Sequence, residues 1–245
     1  MLDRSTKLRL RFFLTLCIFS LSSYFVEFNQ ATGSIFSTKG SWYYRMTVVI
    51  ETPEGVKSGS SVRQISYHTE PHLGDVGGTY YSVSKGDAVM VDLGPRGIVF
   101  ALLRGQNGDE DYAHSVALSA FPSKELTPAG TKIALNSDAY PLFATFSRLS
   151  DPKTLQVIDP RADQLRKFGK DRGRKTFAEA FGDGVILKEI SIEATTDPVT
   201  STIEYKLPWL SQLSGYISGM KSCGGQLMCL DRSDFERKKF VKHDE

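Results

Sequence analysis

Cysteine and histidine are scarce in this chain of 245 residues, which contains three cysteines and four histidines. So few cysteines exclude a small scaffold held together by many disulfides, and the C-x-x-C spacing of redox and zinc sites does not occur. Hydrophobic residues make up 40% and charged residues 24% of the chain, which is ordinary for a packed globular domain and argues against disorder or a collagen-like rod. The composition therefore predicts one packed domain.

An excess of charge of one sign is also lacking outside the N-terminus. The formal net charge is +2, but residues 1–40 hold five basic and two acidic side chains, so the rest of the chain is close to neutral. Nucleic-acid binding depends largely on neutralising phosphates with an excess of Lys and Arg. A near-neutral body therefore gives no reason to expect a nucleic-acid partner.

The N-terminus has the order of a targeting segment. Basic residues precede an uncharged apolar run at 12–26, as in a signal peptide. A helix over this run rises about 22 Å, which is short for a hydrocarbon core of about 30 Å. The sequence Ala31-Thr32-Gly33 offers a cleavage site. We therefore predict that residues 1–33 are either a signal peptide or, if uncut, a single-pass anchor that crosses the membrane through residues 12–26.

Both outcomes place the body outside the cytoplasm, because the basic end of such a segment stays on the cytoplasmic side. The predicted organisation is the N-terminal segment over 1–33, a single extracytoplasmic domain over 34–230, and a charged, flexible tail over 231–245.

Two of the three cysteines, Cys223 and Cys229, lie in the body and are separated by five residues that begin with two glycines. In an oxidising compartment the glycines would let the chain turn back and close a disulfide loop, which stabilises by about 2 kcal/mol in the chain-entropy model. Two unpaired thiols are the alternative.

Strand patterns dominate the body. Residues 42–51 are aromatic and β-branched and precede a Thr-Pro-Glu-Gly turn, which is typical of a strand and its end. Apolar arms at 88–93 and 98–103 flank Gly-Pro-Arg-Gly and predict a β-hairpin covered on both faces. Residues 111–120 favour a short helix. We predict an α+β fold, mainly antiparallel sheet with a few short helices, preceded by an N-terminal apolar helix.

Histidines cluster at one place, where His68 and His72 flank Glu70 and Asp75 follows. All three residue types are suitable zinc ligands. One hypothesis is therefore a metal-assisted hydrolase that binds its ion through His68, His72 and Asp75 and uses Glu70 as base. A proline between the histidines disfavours the helix that would put both imidazoles on one face. We interpret residues 69–78 as an exposed, glycine-containing loop.

A second cluster is a basic run over residues 161–175. It contains seven basic and two acidic side chains, a local charge of +5. A solvated loop is one interpretation. The other is contact with an anionic surface such as lipid headgroups, because each Lys or Arg near a charged membrane gains roughly 1 kcal/mol. The candidate contact residues are Arg161, Arg166, Lys167, Lys170, Arg172, Arg174 and Lys175.

Three stretches resemble a known group of sequences: Tyr44–Val62, Lys85–Leu93 with Phe100–Leu103, and Phe181–Leu187 with Asp197–Thr200. They are similar to uncharacterised bacterial envelope proteins with an N-terminal signal or anchor. The resemblance spans most of residues 42–213. It implies a place in the bacterial envelope, periplasmic or anchored in the inner membrane, and it implies no activity or site residue. The chain lacks the lipobox of lipoprotein-like members, and the segment between the two body cysteines is outside the shared pattern.

Nucleophile elbows and phosphate-binding loops do not occur in the sequence, so we predict no catalytic residue and no cofactor. The leading hypothesis is a non-enzymatic binding module of the bacterial envelope. Its partner is an envelope protein or the membrane surface.

Overall fold

The computed structural model describes residues 38–73, 76–122, 127–217 and 229–238. Within these residues the strands are β1 (Thr38–Thr52), β2 (Gly55–Leu73), β3 (Val76–Asp87), β4 (Val89–Asp92), β5 (Ile98–Gly105), β6 (Lys132–Ala134), β7 (Pro141–Phe146), β8 (Leu155–Ile158), β9 (Ile186–Thr195) and β10 (Glu236–Arg237). The α-helices are α1 (Tyr112–Ala120), α2 (Ala162–Arg166), α3 (Phe177–Phe181), α4 (Ile203–Lys206) and α5 (Arg232–Phe235). Short 3-10 helices lie at Gly94–Arg96, Ser137–Ala139, Pro152–Thr154 and Pro208–Gln212.

The chain divides into two compact units, residues 1–40 with 67–80, and residues 41–66 with 81–245. In the described part of the first unit, the ring of His68 stacks on that of Tyr80 at a centroid distance of 5.0 Å. The hydroxyl groups of Thr69 and Thr79 lie 3.0 Å apart. These contacts join the end of β2 to the beginning of β3.

The larger sheet has six strands in the order β10-β3-β2-β1-β9-β6. A two-residue turn at Pro53 and Glu54 joins β1 to β2, as the Thr-Pro-Glu-Gly sequence predicts. From Tyr44 to Thr52, every second residue of β1 is buried, because side chains alternate between the two faces of a strand. The buried face carries aromatic and β-branched side chains toward the core.

The smaller sheet has four strands in the order β4-β5-β7-β8, and its two central strands, β5 and β7, are buried at every residue. Alternate residues of β5 enter two different hydrophobic clusters. The first cluster also contains residues of β1, β9, α1 and α3, and the second contains residues of α4, α5 and Pro208–Gln212. The smaller sheet is therefore covered on both faces, as the apolar hairpin arms predict.

The C-terminal segment completes the second cluster. Leu230 and Phe235 are fully buried there, and β10 pairs with the end of β3. Asp231 begins α5 with a capping box, in which its side chain accepts a hydrogen bond from the backbone N–H of Ser233. The predicted flexible tail over 231–245 is therefore wrong for residues 231–237, because Phe235 packs in the core. Residues after 238 lie outside the described part of the chain.

The predicted α+β class is confirmed at the level of a mainly antiparallel sheet with a few short helices. The predicted loop over 69–78 is wrong, because β2 continues to Leu73 and β3 begins at Val76. The predicted N-terminal helix lies outside the described residues, and the single domain over 34–230 stays a prediction. No helix in the described part of the chain has the length and apolar character needed to cross a membrane.

Candidate anion-binding cleft

A cleft of about 660 Å³ lies at the end of β5, against the basic run. Its lining residues are Gln106, Asn107, Arg161, Leu165, Gly169, Lys170, Asp171, Arg172, Gly173 and Arg174. Four of these residues are cations and one is a carboxylate, so the cleft is positively charged.

Asp159 holds one wall of the cleft in place. It follows β8 directly and is fully buried. One carboxylate oxygen, Oδ2, accepts hydrogen bonds from Arg174 Nη1 at 2.6 Å and from Arg161 Nη2 at 3.1 Å. The other, Oδ1, accepts from Arg161 Nε at 3.1 Å. Burial raises the pKa of Asp159, but the hydrogen bonds from the two arginines outweigh burial and hold this pKa below its ordinary value.

The same two arginines tie the basic run to the end of β5. Arg174 Nη1 donates to the backbone oxygen of Gln106 at 2.9 Å, and Arg161 Nη2 donates to Asn107 Oδ1 at 3.2 Å. The side chain of Gln106 is itself anchored, because its Nε2 donates to the backbone oxygen of Ser137 at 2.6 Å. The cleft therefore has a wall built from residues far apart in the sequence.

Two other basic residues of the run serve local structure. Arg166 lies 2.8 Å from the carboxylate of Asp163 and 3.1 Å from that of Glu179. Lys175 Nζ donates to Gln156 Oε1 at 3.0 Å. Both cations therefore have partners inside the protein.

Lys167, Lys170 and Arg172 form a different group, because all three side chains are exposed. Within the described residues, no carboxylate or other acceptor bonds to their charged groups. Phe168 lies between them in the sequence and is 75% exposed. We call residues 167–173 the basic loop.

Arg172 is the one non-glycine residue with a positive φ in the described part of the chain, at 52°. The left-handed region costs a residue with a Cβ atom on the order of 1 kcal/mol. The glycines at 169 and 173 flank it with φ values of 65° and 75° and bear no such cost. The tight turn therefore places Arg172 in the lining of the cleft at the cost of a backbone penalty.

The structure thus separates the seven basic residues of the sequence prediction into two groups. Arg161, Arg166, Arg174 and Lys175 have partners inside the protein, and Lys167, Lys170 and Arg172 carry exposed charge. Contact with an anionic surface stays a prediction for all seven.

Sequence reasoning did not indicate Gln106 and Asn107 in the lining of the cleft, or Asp159 buried behind it. The two amides lie more than 50 positions before the basic run and reach it only because β5, β7 and β8 are neighbours in one sheet. Asp159 stands just before the run, so a count of charges over 161–175 omits it. The available signal for Asp159 was an aspartate that closely precedes an arginine-rich run.

The predicted metal ligands do not form a described site. His68 lies on β2 with its Nε2 3.7 Å from Glu70 Oε1, and both side chains are about half exposed. Four residues of a strand span about 13 Å, which is a long separation for His68 and His72 to share one ion. The side chain of His72 and residue Asp75 lie outside the described part, so the metal site stays a prediction. Among the described residues, no three His, Cys, Asp or Glu side chains form a metal-binding group.

Cys229 is disulfide-bonded. The other two cysteines of the chain, Cys17 and Cys223, lie outside the described residues. The pairing of Cys229 with Cys223 therefore stays a prediction.

Comparison with protein-family models, with curated proteins and with solved structures finds no significant match to this chain.

Proposed function

We propose that this protein is an exported or membrane-anchored bacterial envelope protein that acts by binding, and that its basic loop docks on anionic lipid. The observation that carries the proposal is the basic loop itself, in which exposed Phe168 stands among three exposed cations without internal partners. An aromatic side chain beside Lys and Arg suits a membrane interface, where the ring enters the acyl boundary and the charges meet headgroup phosphates.

The energies involved are sufficient for reversible docking. Three cations at an anionic surface contribute about 3 kcal/mol together. Transfer of a Phe side chain out of water contributes roughly 2 kcal/mol more. A tether would add to this through a high effective concentration, so that a weak surface contact becomes persistent.

The cleft that the basic loop borders lies beside the end of β5 in the larger unit. At one end of the larger unit, Arg96 bonds to Glu54 in the β1–β2 turn. From there β5 runs to Gly105, next to α1, where the Tyr44 hydroxyl donates to the backbone oxygen of Ala113 at 2.5 Å. Tyr44 is the seventh of the fifteen residues of β1, so the end of β5 lies near the middle of β1. Gln106 and Asn107 follow β5 directly and line the cleft.

The chain before β1 leads back to the predicted signal or anchor at residues 12–26. The export pattern and the resemblance to envelope proteins support the location, and the exposed loop supports the membrane as the partner.

Tryptophan fluorescence tests the proposal on the full chain in the form recovered from cells. Phe168→Trp places a reporter in the basic loop, and the parent protein gives the background from Trp42 and Trp209. We expect a blue shift and quenching by brominated acyl chains in vesicles that contain phosphatidylglycerol, both weakening with salt. Pure phosphatidylcholine vesicles should produce neither.

The matched control is Tyr205→Trp on α4, because Tyr205 is 84% exposed and lies outside the basic loop. Its fluorescence should be the same in both vesicle types. Equal quenching of Phe168→Trp in neutral and anionic vesicles would contradict the proposal.

A further inference from the structure

We infer that the cleft beside the basic loop is a binding site for one phosphate ester group, in addition to the general attraction of the loop for anionic lipid. The inference rests on the proposed docking function, because a headgroup phosphate is the ester that docking would bring to the cleft. A soluble phosphate ester has the same chemistry and is the alternative source.

The cleft offers hydrogen-bond donors that nothing in the described protein uses. The Nε and Nη2 groups of Arg161 donate hydrogen bonds to Asp159 and Asn107, and its Nη1 group has no described partner. The ammonium group of Lys170 and the guanidinium group of Arg172 are also unbonded and line the same cleft. A guanidinium fork and an ammonium group are the donors that proteins use to bind phosphate oxygens.

The charge balance favours an anion. Asp159 is already occupied by two arginines and is buried behind the wall. Asp171 is the one carboxylate in the lining, and its Oδ2 accepts a hydrogen bond from the backbone N–H of Gly173 at 3.3 Å. The lining therefore keeps a surplus of positive charge after every described internal pair is counted.

One of the donor side chains, that of Arg161, is also held in position before any ligand arrives. Arg161 is fixed by its hydrogen bonds to Asp159 and Asn107. Donors that are already oriented lose less conformational entropy on binding. The volume of about 660 Å³ is within the range of small-molecule sites and exceeds what a single phosphate needs, so the remainder of a headgroup also fits.

Two neighbouring lysines give a matched test. Lys170 lines the cleft and Lys167 does not, although both are exposed cations of the basic loop. We expect calorimetric titration of the full chain with glycerol phosphate at low salt to show saturable binding. Lys170→Ala should weaken this binding about tenfold, the loss expected for one charge-assisted hydrogen bond. Lys167→Ala should leave the binding unchanged.

Arg161→Lys is a second variant that keeps the positive charge beside Asp159 and removes the spare guanidinium nitrogen. We expect it to weaken glycerol phosphate binding, with thermal unfolding showing that the variant is folded. The inference would be overturned if neither glycerol phosphate nor inorganic phosphate showed saturable binding. The inference would also be overturned if Lys167→Ala and Lys170→Ala weakened glycerol phosphate binding equally, because that result would show a diffuse charge effect.

Vesicles of phosphatidylglycerol in phosphatidylcholine separate the two sources of phosphate. If the lipid headgroup occupies the cleft, Lys170→Ala weakens vesicle binding more than Lys167→Ala does, and glycerol phosphate competes. If a soluble ester is the ligand, the two variants weaken vesicle binding equally while only Lys170→Ala affects the titration. Phe168 does not line the cleft, so failure of the lipid-insertion test at Phe168→Trp would leave the phosphate site standing.

Discussion

The chain buries carboxylates at two places and compensates their charge in different ways. At the cleft, Asp159 receives two guanidinium groups, which lower its pKa although burial acts in the opposite direction. At the C-terminal segment, Asp234 receives one, with Arg104 Nε at 2.7 Å, and burial still raises the pKa of Asp234. The number of arginines for each buried carboxylate therefore differs between the two centres.

Asp87 is a second buried carboxylate near the C-terminal segment, and we call Asp234 and Asp87 together the C-terminal centre. Its Oδ2 accepts hydrogen bonds from the backbone N–H groups of Thr202 at 2.5 Å and Ile203 at 3.0 Å. Burial raises the pKa of Asp87 more than these hydrogen bonds lower it, and the neighbouring carboxylate of Glu236 raises it further. This centre joins α4 and β10 to the end of β3 and thus holds the end of the described chain in place.

The difference indicates two roles. Where arginines outnumber the carboxylate, the surplus donors face solvent and can meet an anion, as at the cleft. Asp234 has one hydrogen-bonded arginine and the Asp87 carboxylate accepts from backbone N–H groups, and burial raises the pKa of both, so their ionised state costs stability. The first arrangement suits binding and the second suits packing.

The largest expected effect is that of Arg174→Ala. It removes a buried guanidinium from a fully buried carboxylate, and breaking such a pair costs about 3 kcal/mol of unfolding free energy. Because the pKa of Asp159 is lowered in the folded state, its stabilising contribution is present above its unfolded pKa and is lost as the pH falls through the folded pKa. Urea unfolding at pH 7 and at lower pH measures both.

Arg148→Ala is the control, because Arg148 pairs with Asp151 on the surface with its side chain 71% exposed. Its loss should cost less than about 1 kcal/mol. Similar losses for Arg148→Ala and Arg174→Ala would show that Asp159 does not depend on its arginines, and the contrast between the two centres would fail.

Asp87→Asn tests the C-terminal centre and should have the opposite sign. The folded-state pKa of Asp87 is raised, so its contribution to stability is greatest below the unfolded pKa and is lost as the pH rises through the folded pKa. Asparagine keeps an acceptor oxygen for the two backbone N–H groups and never ionises. We expect the variant to be about 1 kcal/mol more stable at pH 7, with the difference shrinking on acidification.

Urea unfolding across this pH range measures the effect of Asp87→Asn. Asp138→Asn is the control, because Asp138 is exposed and its substitution should leave the unfolding free energy unchanged. Destabilisation by Asp87→Asn at pH 7 would show that the charge of Asp87 is needed, and the proposed difference between the centres would then be wrong.

The sequence predicts the strands whose burial leaves a local pattern of apolar residues. The apolar arms of β4 and β5 and the aromatic, β-branched run of β1 are visible in the sequence because burial on one or both faces dictates them. The end of β2 and the beginning of β3 are not predicted, because proline and glycine there suggest a loop. Sheet pairing between long strands overrides that suggestion.

For the cleft and the basic loop, the sequence predicted only that residues 161–175 carry an excess of positive charge. The division of the basic run depends on which acceptors the fold brings close, and Asp159, Glu179 and Gln156 gain that role from tertiary contacts. The sequence shows a phenylalanine at position 168 but does not show that it is exposed, because phenylalanine occurs both in protein cores and at docking surfaces. Charge patterns therefore located the surface, and packing decided which of its residues are available.

The smallest expected effect on stability is also the sharpest test of the cleft. Arg172→Gly relieves the left-handed backbone strain and should raise the unfolding free energy by about 0.5 kcal/mol. It also removes one cation, so binding to phosphatidylglycerol vesicles should weaken about fivefold, the equivalent of roughly 1 kcal/mol. Arg172→Lys keeps the charge and should retain most of the vesicle binding without the gain in stability. A variant that becomes more stable as it binds less tightly would show that the strained turn serves binding, whereas unchanged vesicle binding by Arg172→Gly would assign Arg172 to the solvated surface.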